Sequence, residues 1–316
     1  MTNPTYAVIG SGYMGGGIAQ SLALSGVDVR IADVSLDIAV ANRERLIAEA
    51  ECFSADGLFP EEAADLIGER VVAATVEDAV DGATFIEEAV PEKIEIKHET
   101  LRRVSRAADA DAIIGSNTST ILISRIAEAV ERPERFLGVH FSNPAPFIPG
   151  VELIPHAGTD EAILPVVEAI VAATGKQTAR IKDATGFVLN RLQYALFHEA
   201  TQLVEEGVAS PEDIDTVVRT TFGFRLPFFG PFAIADMAGL DVYAFCYASL
   251  QTRWPERFAT PESLAELVSE GKFGTKSGAG YLDVPAERTA ELVAYRNKAY
   301  VAMQKLIDEL GPAPIG

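Results

Sequence analysis

Apolar residues fall in short runs through the first half of the chain and in helical periods through the second. Tyr6 to Ile9 predicts a strand, the apolar-periodic segment from Ile18 to Leu24 a helix, and Val27 to Ala32 a second strand. Residues 36–69 are rich in Ala, Glu and Leu and read as helices, interrupted between Ser54 and Pro60 where Asp56-Gly57 and Pro60 break the pattern. β-rich runs return at Arg70 to Ala73, Thr84 to Val90, Ala112 to Ser116, Phe136 to His140 and Val151 to Pro155, alternating with helical stretches until about Pro133. That alternation predicts a doubly wound α/β sheet of Rossmann type. From about residue 184 the strand signals vanish and helical patterns run through Leu310, punctuated by Gly and Pro at 207–211 and 223–231. Ser210-Pro211-Glu212-Asp213 reads as a helix start with Pro in the first turn. The expected organisation is a Rossmann-type domain over 1–183 and an all-α domain over 184–316.

Between the first predicted strand and helix stand Gly10, Gly12 and Gly15 in the order G-x-G-x-x-G, and the second strand ends at Asp33. The glycines permit a tight turn and close approach of backbone to a pyrophosphate, and the helix N-terminus adds unpaired N–H groups and partial positive charge. Asp33 is placed to accept hydrogen bonds from an adenosine ribose. No arginine or lysine occurs from 34 to 42, so a 2′-phosphate would meet a carboxylate without a counter-charge. NAD is expected rather than NADP.

Composition narrows the classes. The chain has 316 residues, 48% hydrophobic and 23% charged, enough for a sizeable core in two domains. Its net charge of −20 repels phosphate backbones and anionic membranes, so neither nucleic acid nor membrane is an expected partner. Cys52 and Cys246 are too few and too far apart for a disulfide framework or a metal-ligand cluster, and no metal is expected. The start of the chain has no basic n-region, and no stretch approaches the roughly 18 unbroken apolar residues of a membrane span. A soluble, cytoplasmic protein is expected.

In a doubly wound sheet ligands sit beyond the carboxyl ends of the strands, and three such ends carry polar chemistry. Asn117-Thr118-Ser119-Thr120 follows one, His140 closes another, and Glu152 lies within Val-Glu-Leu. The Ser/Thr cluster reads equally as a local helix cap. Glu152 in an apolar strand needs a partner, because an unpaired buried carboxylate costs several kcal/mol. His140 is the obvious candidate. A carboxylate bonded to one ring nitrogen leaves the other as a base able to take a hydroxyl proton.

The motifs G-S-G-Y-M-G-G-G at 10–17, E-A-V-P-E-K at 88–93, S-N-T-S at 116–119 and G-V-H-F-S-N-P at 138–144 resemble those of the 3-hydroxyacyl-CoA dehydrogenase family. So do V-E-L at 151–153, D-A-T-G-F-V-L-N-R at 183–191 and K-F-G-T-K-S-G-A-G-Y at 272–281, and the resemblance covers nearly the whole chain. It implies His140 as catalytic base, Glu152 as its partner, and Ser119 and Asn190 as hydrogen-bonding groups around the substrate oxygen. It also implies Glu92 and Lys97 near the nicotinamide ribose, and a helical second domain that forms a homodimer.

Two departures from the family pattern bear on the small-molecule substrate. Ile148-Pro149 stands where CoA-thioester members commonly carry a methionine-lysine pair, and the loop T-F-G-F-R-L-P-F-F-G-P at 221–231 resembles that of relatives oxidising free hydroxy-carboxylates, such as gulonate, carnitine and pyridine-acid dehydrogenases. Arg225 in that loop could grip a free carboxylate bidentately. Residues 47–69, where relatives place a CoA-contacting clamp, contain acids and no lysine or arginine. A free 3-hydroxy acid is therefore favoured over a 3-hydroxyacyl-CoA such as 3-hydroxybutyryl-CoA. Two other readings compete: a β-hydroxyacid dehydrogenase using Lys176 or Lys182, and a non-catalytic, crystallin-like NAD-binding protein.

Overall fold

The computed structural model describes residues 4–314. The chain falls into two compact units, residues up to Leu196 and residues from Phe197 onward. The first is built on an eight-stranded sheet, β1 (Thr5–Ile9), β2 (Asp28–Ala32), β3 (Val71–Ala73), β4 (Phe85–Glu88), β5 (Ile113–Ser116), β6 (Phe136–Phe141), β7 (Gly150–Pro155) and β8 (Gln177–Arg180), in the order β3-β2-β1-β4-β5-β6-β7-β8. All neighbours are parallel except β6 and β7. Helices α1 (Tyr13–Leu24), α2 (Leu36–Ala55), α3 (Ala63–Arg70), α4 (Val76–Val80), α5 (Ile94–Ala107), α6 (Ile123–Ala127) and α7 (Leu164–Ala173) cover the sheet, and α8 (Leu189–Glu205) begins in this unit.

Strand alternation produces two cores, one on each face. Tyr6, Val8, Ile31, Val139 and Leu153 pack with Ile18 and Leu22 of α1, Leu46 of α2 and Val167 of α7. Ala7, Ile9, Ile86, Ile114 and Ile154 pack on the other face with Leu101 of α5 and Ile123 of α6. Both faces are apolar because parallel strands are buried on both sides. Each fully buried Ile, Leu or Val adds about 1.5–3 kcal/mol of hydrophobic stabilisation. The sheet is the expected doubly wound one. Its outermost strand, β8, was not expected, because Gln-Thr-Ala-Arg at an exposed edge carries no apolar run.

The second unit holds the rest of α8, then α9 (Pro211–Thr220), α10 (Pro231–Ala238), α11 (Leu240–Gln251), α12 (Glu262–Ser269) and α13 (Ala286–Leu310). As expected, Ser210 caps α9, its hydroxyl accepting the Asp213 N–H at 3.1 Å with Pro211 in the first turn. The 272–281 motif has a structural task here. Buried Asp236 accepts the N–H groups of Tyr281 (3.1 Å) and Leu282 (2.7 Å), and a side chain at Gly280 would collide with its carboxylate. The apolar loop at 222–232 divides: Phe229 is buried against Tyr295, whereas Leu226 and Phe232 are exposed. Among the described residues no single helix is long and apolar enough to cross a membrane.

Candidate active site

Strand order reverses where β1 lies between β2 and β4, and a cavity of about 1170 Å³ opens in the first unit beyond the strand ends there. Gly10, Gly12, Tyr13, Asp33 and Val34 line one end of it, and Asn117, Ser119, His140, Asn143, Asn190 and Gln193 the other.

The glycine end fits a dinucleotide. Gly10 has φ +98°, and a Cβ at Gly15 would lie 1.8 Å from the Gly10 carbonyl oxygen, so both glycines serve the turn itself. Gly12 differs: it is the N-cap of α1, has no side-chain cap, and a Cβ there would meet nothing within 4 Å. It leaves open space in front of helix N–H groups, as pyrophosphate requires. Asp33 is held by Ser11, whose N–H and hydroxyl both donate to Oδ2 at 2.8 Å, and by the Val34 N–H on Oδ1. Asn42 Nδ2 in turn donates to the Ser11 hydroxyl. Arg45, for which the sequence carried no signal, folds over the turn and donates to the carbonyls of Ser11 (3.2 Å) and Gly12 (3.3 Å).

At the other end, the antiparallel register of β6 and β7 sets His140 directly opposite Glu152. His140 Nδ1 lies 2.7 Å from Glu152 Oε2, and its Nε2 lies 3.1 Å from the Ser119 hydroxyl oxygen. His140 is 4% exposed and Glu152 9%. Glu152 Oε1 accepts the N–H groups of Val188 (3.0 Å) and Leu189 (2.9 Å) at the start of α8. Burial alone would push this carboxyl up. The hydrogen bond from His140 and the Leu189 and Val188 N–H groups outweigh it and hold the group below the usual carboxylate range. An ionised Glu152 can only accept, so Nδ1 carries the ring proton and Nε2 is the unprotonated nitrogen, accepting the Ser119 hydroxyl and available as a base toward the cavity.

The partners of Ser119 are equally defined. Its carbonyl accepts Asn190 Nδ2 at 2.9 Å. The Ser/Thr cluster does not cap the helix that follows. Asp183 does so, its two carboxylate oxygens accepting the Ile123 and Ser124 N–H groups at 2.8 Å. Glu92 lines the cavity and accepts hydrogen bonds from the Thr118–Thr120 turn. Lys97 lies behind it, fully buried, with Nζ 2.9 Å from Glu88 Oε1 and 3.5 Å from Glu92 Oε2. Arg225 ends a short 3-10 turn, Gly223–Arg225, in the second unit.

Three further residues stand in settings that the sequence did not suggest. Phe187 has φ +49°, rare for a residue with a side chain, and sets its buried ring 5.7 Å from that of His140. With Gly186 (φ +76°) it turns the chain so that the next two N–H groups reach Glu152. Only the glycine in D-A-T-G-F-V hinted at this. Lys176 is buried and donates to the carbonyls of Pro146 (3.2 Å) and Ile148 (3.0 Å), so burial lowers its pKa and its ammonium holds the loop after β6. That engagement removes support for Lys176 as a reacting group. Glu87, fully buried beside Gly115, has no partner for either carboxylate oxygen among the described residues, and burial together with the Glu88 charge pushes its pKa well up.

Residues 5–184 match the family model of the 3-hydroxyacyl-CoA dehydrogenase NAD binding domain, and residues 186–284 that of the C-terminal domain. The chain belongs to the 3-hydroxyacyl-CoA dehydrogenase family. It is therefore one of a family of NAD-dependent oxidoreductases acting on CH–OH groups, and its first unit carries the NAD-binding fold. It is 36% identical to 5-formyl-3-hydroxy-2-methylpyridine 4-carboxylate 5-dehydrogenase of Mesorhizobium japonicum, covering 96% of this chain and 97% of that one. It is 35% identical to the mitochondrial hydroxyacyl-coenzyme A dehydrogenase of Homo sapiens over 87% of this chain and 89% of that one. Among solved structures it resembles the 3-hydroxyacyl-CoA dehydrogenase of Archaeoglobus fulgidus, with a TM-score of 0.77, 32% identity and coverage of 98% and 99%.

Proposed function

We propose that this protein oxidises the 3-hydroxy group of a small, free 3-hydroxy carboxylate to the 3-oxo product, with His140 as base. The observation that carries the chemistry is the Glu152–His140–Ser119 relay, whose His140 and Ser119 line the cavity with Glu152 behind them. The Ser119 hydroxyl turns from Nε2 to the substrate oxygen, Nε2 takes the substrate hydroxyl proton, and the imidazolium so formed is stabilised by ionised Glu152 at 2.7 Å. Ser119 and Asn190 supply neutral donors for the alkoxide character that develops on the substrate oxygen. When bound, NAD supplies the redox chemistry by accepting the hydrogen and electron pair of the carbinol carbon.

Support for a free acid comes from charge. Residues 47–69, which form much of α2 and α3, carry seven acids (Glu49, Glu51, Asp56, Glu61, Glu62, Asp65 and Glu69) and no cation to meet the phosphates of CoA. Half-buried Arg225 is the one cation in the loop at 221–231 and is the proposed carboxylate anchor. The name of the similar Mesorhizobium japonicum protein is that of a pyridine-carboxylate dehydrogenase. A 3-hydroxyacyl-CoA is the second reading, favoured by the names of relatives such as the 3-hydroxybutyryl-CoA dehydrogenase of Mycobacterium tuberculosis.

The test is purified protein with NAD and a panel of free 3-hydroxy acids and 3-hydroxyacyl-CoA thioesters, followed at the NADH absorbance. Free acids turning over with the higher kcat/KM, and a raised KM for them in Arg225→Met, support the reading. Thioester turnover alone overturns the substrate class. Silence across the panel with NADH bound points to a non-catalytic role. A homodimer is proposed as the working state, because the second unit leaves Phe232, Phe245, Val301 and Leu310 exposed; sedimentation at a single protomer mass would refute it. Two exposed, unpaired cysteines, Cys52 and Cys246, support a reducing, cytoplasmic location.

A further inference from the structure

Glu92 is bound to one turn by four hydrogen bonds. Its Oε1 accepts from the Thr118 hydroxyl (2.7 Å), the Ser119 N–H (3.0 Å), the Thr120 N–H (2.9 Å) and the Thr120 hydroxyl (3.0 Å). The Ser119 carbonyl is tied on its other side by Asn190 Nδ2. Both peptide groups that flank the Ser119 Cα are thus fixed, and the hydroxyl that reaches His140 Nε2 retains only its own side-chain torsion.

A buried charge chain stands behind Glu92. Lys97 Nζ faces Glu92 Oε2 at 3.5 Å and bonds Glu88 at 2.9 and 3.2 Å and the Val90 carbonyl at 3.3 Å. Glu88 also accepts the Ser116 hydroxyl (2.5 Å) and the Val90 N–H (2.8 Å). Glu88 and Lys97 are wholly buried, where charges persist only when paired and hydrogen-bonded on every side. The chain therefore joins the ends of β4 and β5 to the turn that carries Ser119.

We propose that Glu92 is a positioning residue for the reaction: it clamps the Thr118–Thr120 turn so that the Ser119 hydroxyl is held on His140 Nε2, with Lys97 and Glu88 fixing Glu92 in place. The inference rests on His140 and Ser119 acting as base and hydroxyl donor. It gives Glu92 and Lys97 a task that exists without cofactor, beside the ribose contact that the family resemblance implies. A carboxylate suits the task because one anion attracts four converging dipoles at once.

The test is a double-mutant cycle of Glu92→Ala and Ser119→Ala with three readouts. Long-range proton–nitrogen spectra follow the tautomer and titration of the four histidines, with His140 assigned by His140→Gln. NADH fluorescence gives cofactor affinity without substrate, and kcat is measured on the substrate found with the panel. Glu92→Ala is expected to shift the His140 signals as Ser119→Ala does and to lower kcat at saturating NAD by up to roughly 100-fold, as for a misplaced reacting group, over and above whatever the lost ribose contact costs in NADH affinity. The double variant adds nothing further. Glu92→Gln keeps an acceptor oxygen and is expected to fall between parent and alanine, which preserves the test if the alanine variant unfolds. Unchanged His140 signals, additive effects, or a loss confined to NADH affinity overturn the proposal. The spectra need no substrate, so an idle panel would refute the proposed reaction, whereas unchanged His140 signals would refute the clamp on Ser119, and the two failures are told apart.

Discussion

Replacing Glu152 with glutamine keeps the size of the side chain and inverts its hydrogen-bonding logic. The carboxylate accepts on both sides, from His140 at Oε2 and from the Val188 and Leu189 N–H groups at Oε1. An amide can accept on only one. If its oxygen turns to His140, its NH2 faces two backbone donors, leaving them unsatisfied at about 1–3 kcal/mol each. If its oxygen stays with the backbone, the NH2 faces Nδ1 and forces the ring proton onto Nε2. The second arrangement costs less and destroys the base. A histidine held in the wrong tautomer by such a swap costs roughly 10³- to 10⁴-fold in kcat elsewhere, or about 4–5.5 kcal/mol of transition-state stabilisation. Glu152→Gln is therefore expected to bind NADH normally and to lose kcat on that scale, measured by NADH formation at saturating substrate. A kcat within about tenfold of the parent, with the variant folded, would mean that Glu152 does not set the state of the imidazole.

The remaining predictions use other parts of the molecule. Gly12→Ala places its methyl in open space and is expected to leave thermal stability unchanged while weakening NADH binding; Gly15→Ala, 1.8 Å from a carbonyl oxygen, is expected to lose both, with calorimetry and NADH titration as the check. Glu87 has a native pKa raised above its unfolded value, so it favours the native state only while protonated, and its contribution is lost as pH rises from the unfolded carboxylate range toward the native pKa. Each unit of that elevation costs about 1.4 kcal/mol at higher pH, so Glu87→Gln should shrink the fall in Tm between acidic and neutral pH, and an identical fall in both proteins would refute the assignment. Lys176→Met leaves the Pro146 and Ile148 carbonyls unpaired and is expected to cost about 2 kcal/mol in denaturant unfolding and to raise KM, since Ile148 lines the cavity. Glu152 works in the opposite sense to Glu87: its depressed pKa stabilises the fold above the unfolded carboxylate pKa and is lost as pH falls through the native one.

The sheet was legible because parallel strands buried on both faces write themselves as short apolar runs between turn residues, and seven of the eight strands, β1 to β7, stand where such runs occur. β8 escaped because an exposed edge strand needs no apolar residue; the β7 ladder defines it instead. His140, Glu152 and Ser119 were legible for different reasons. His140 and Glu152 are polar side chains inside apolar strands, where an unpaired group would be costly, whereas Ser119 lies in the loop beyond β5 and was marked by the family motif at 116–119. Phe187, Lys176 and Glu87 were not, since nothing local distinguishes a phenylalanine at positive φ, a lysine bonded to carbonyls or a fully buried glutamate without a partner among the described residues from its ordinary counterpart.

Local sequence therefore determined what depends on near neighbours: the strands, the glycine turn with Asp33, the capped start at Ser210, and the residue types able to move a proton. Only the tertiary structure decided which of them meet. The antiparallel turn of β7 puts Glu152 opposite His140, and the backbone at 186–189 brings two N–H groups to the same carboxylate. The same long-range packing leaves Glu92 and Lys97 as supports of the Ser119 turn. Hydrogen bonds between residues far apart in the chain depend on register and on burial, and both are properties of the assembled sheet rather than of any segment within it.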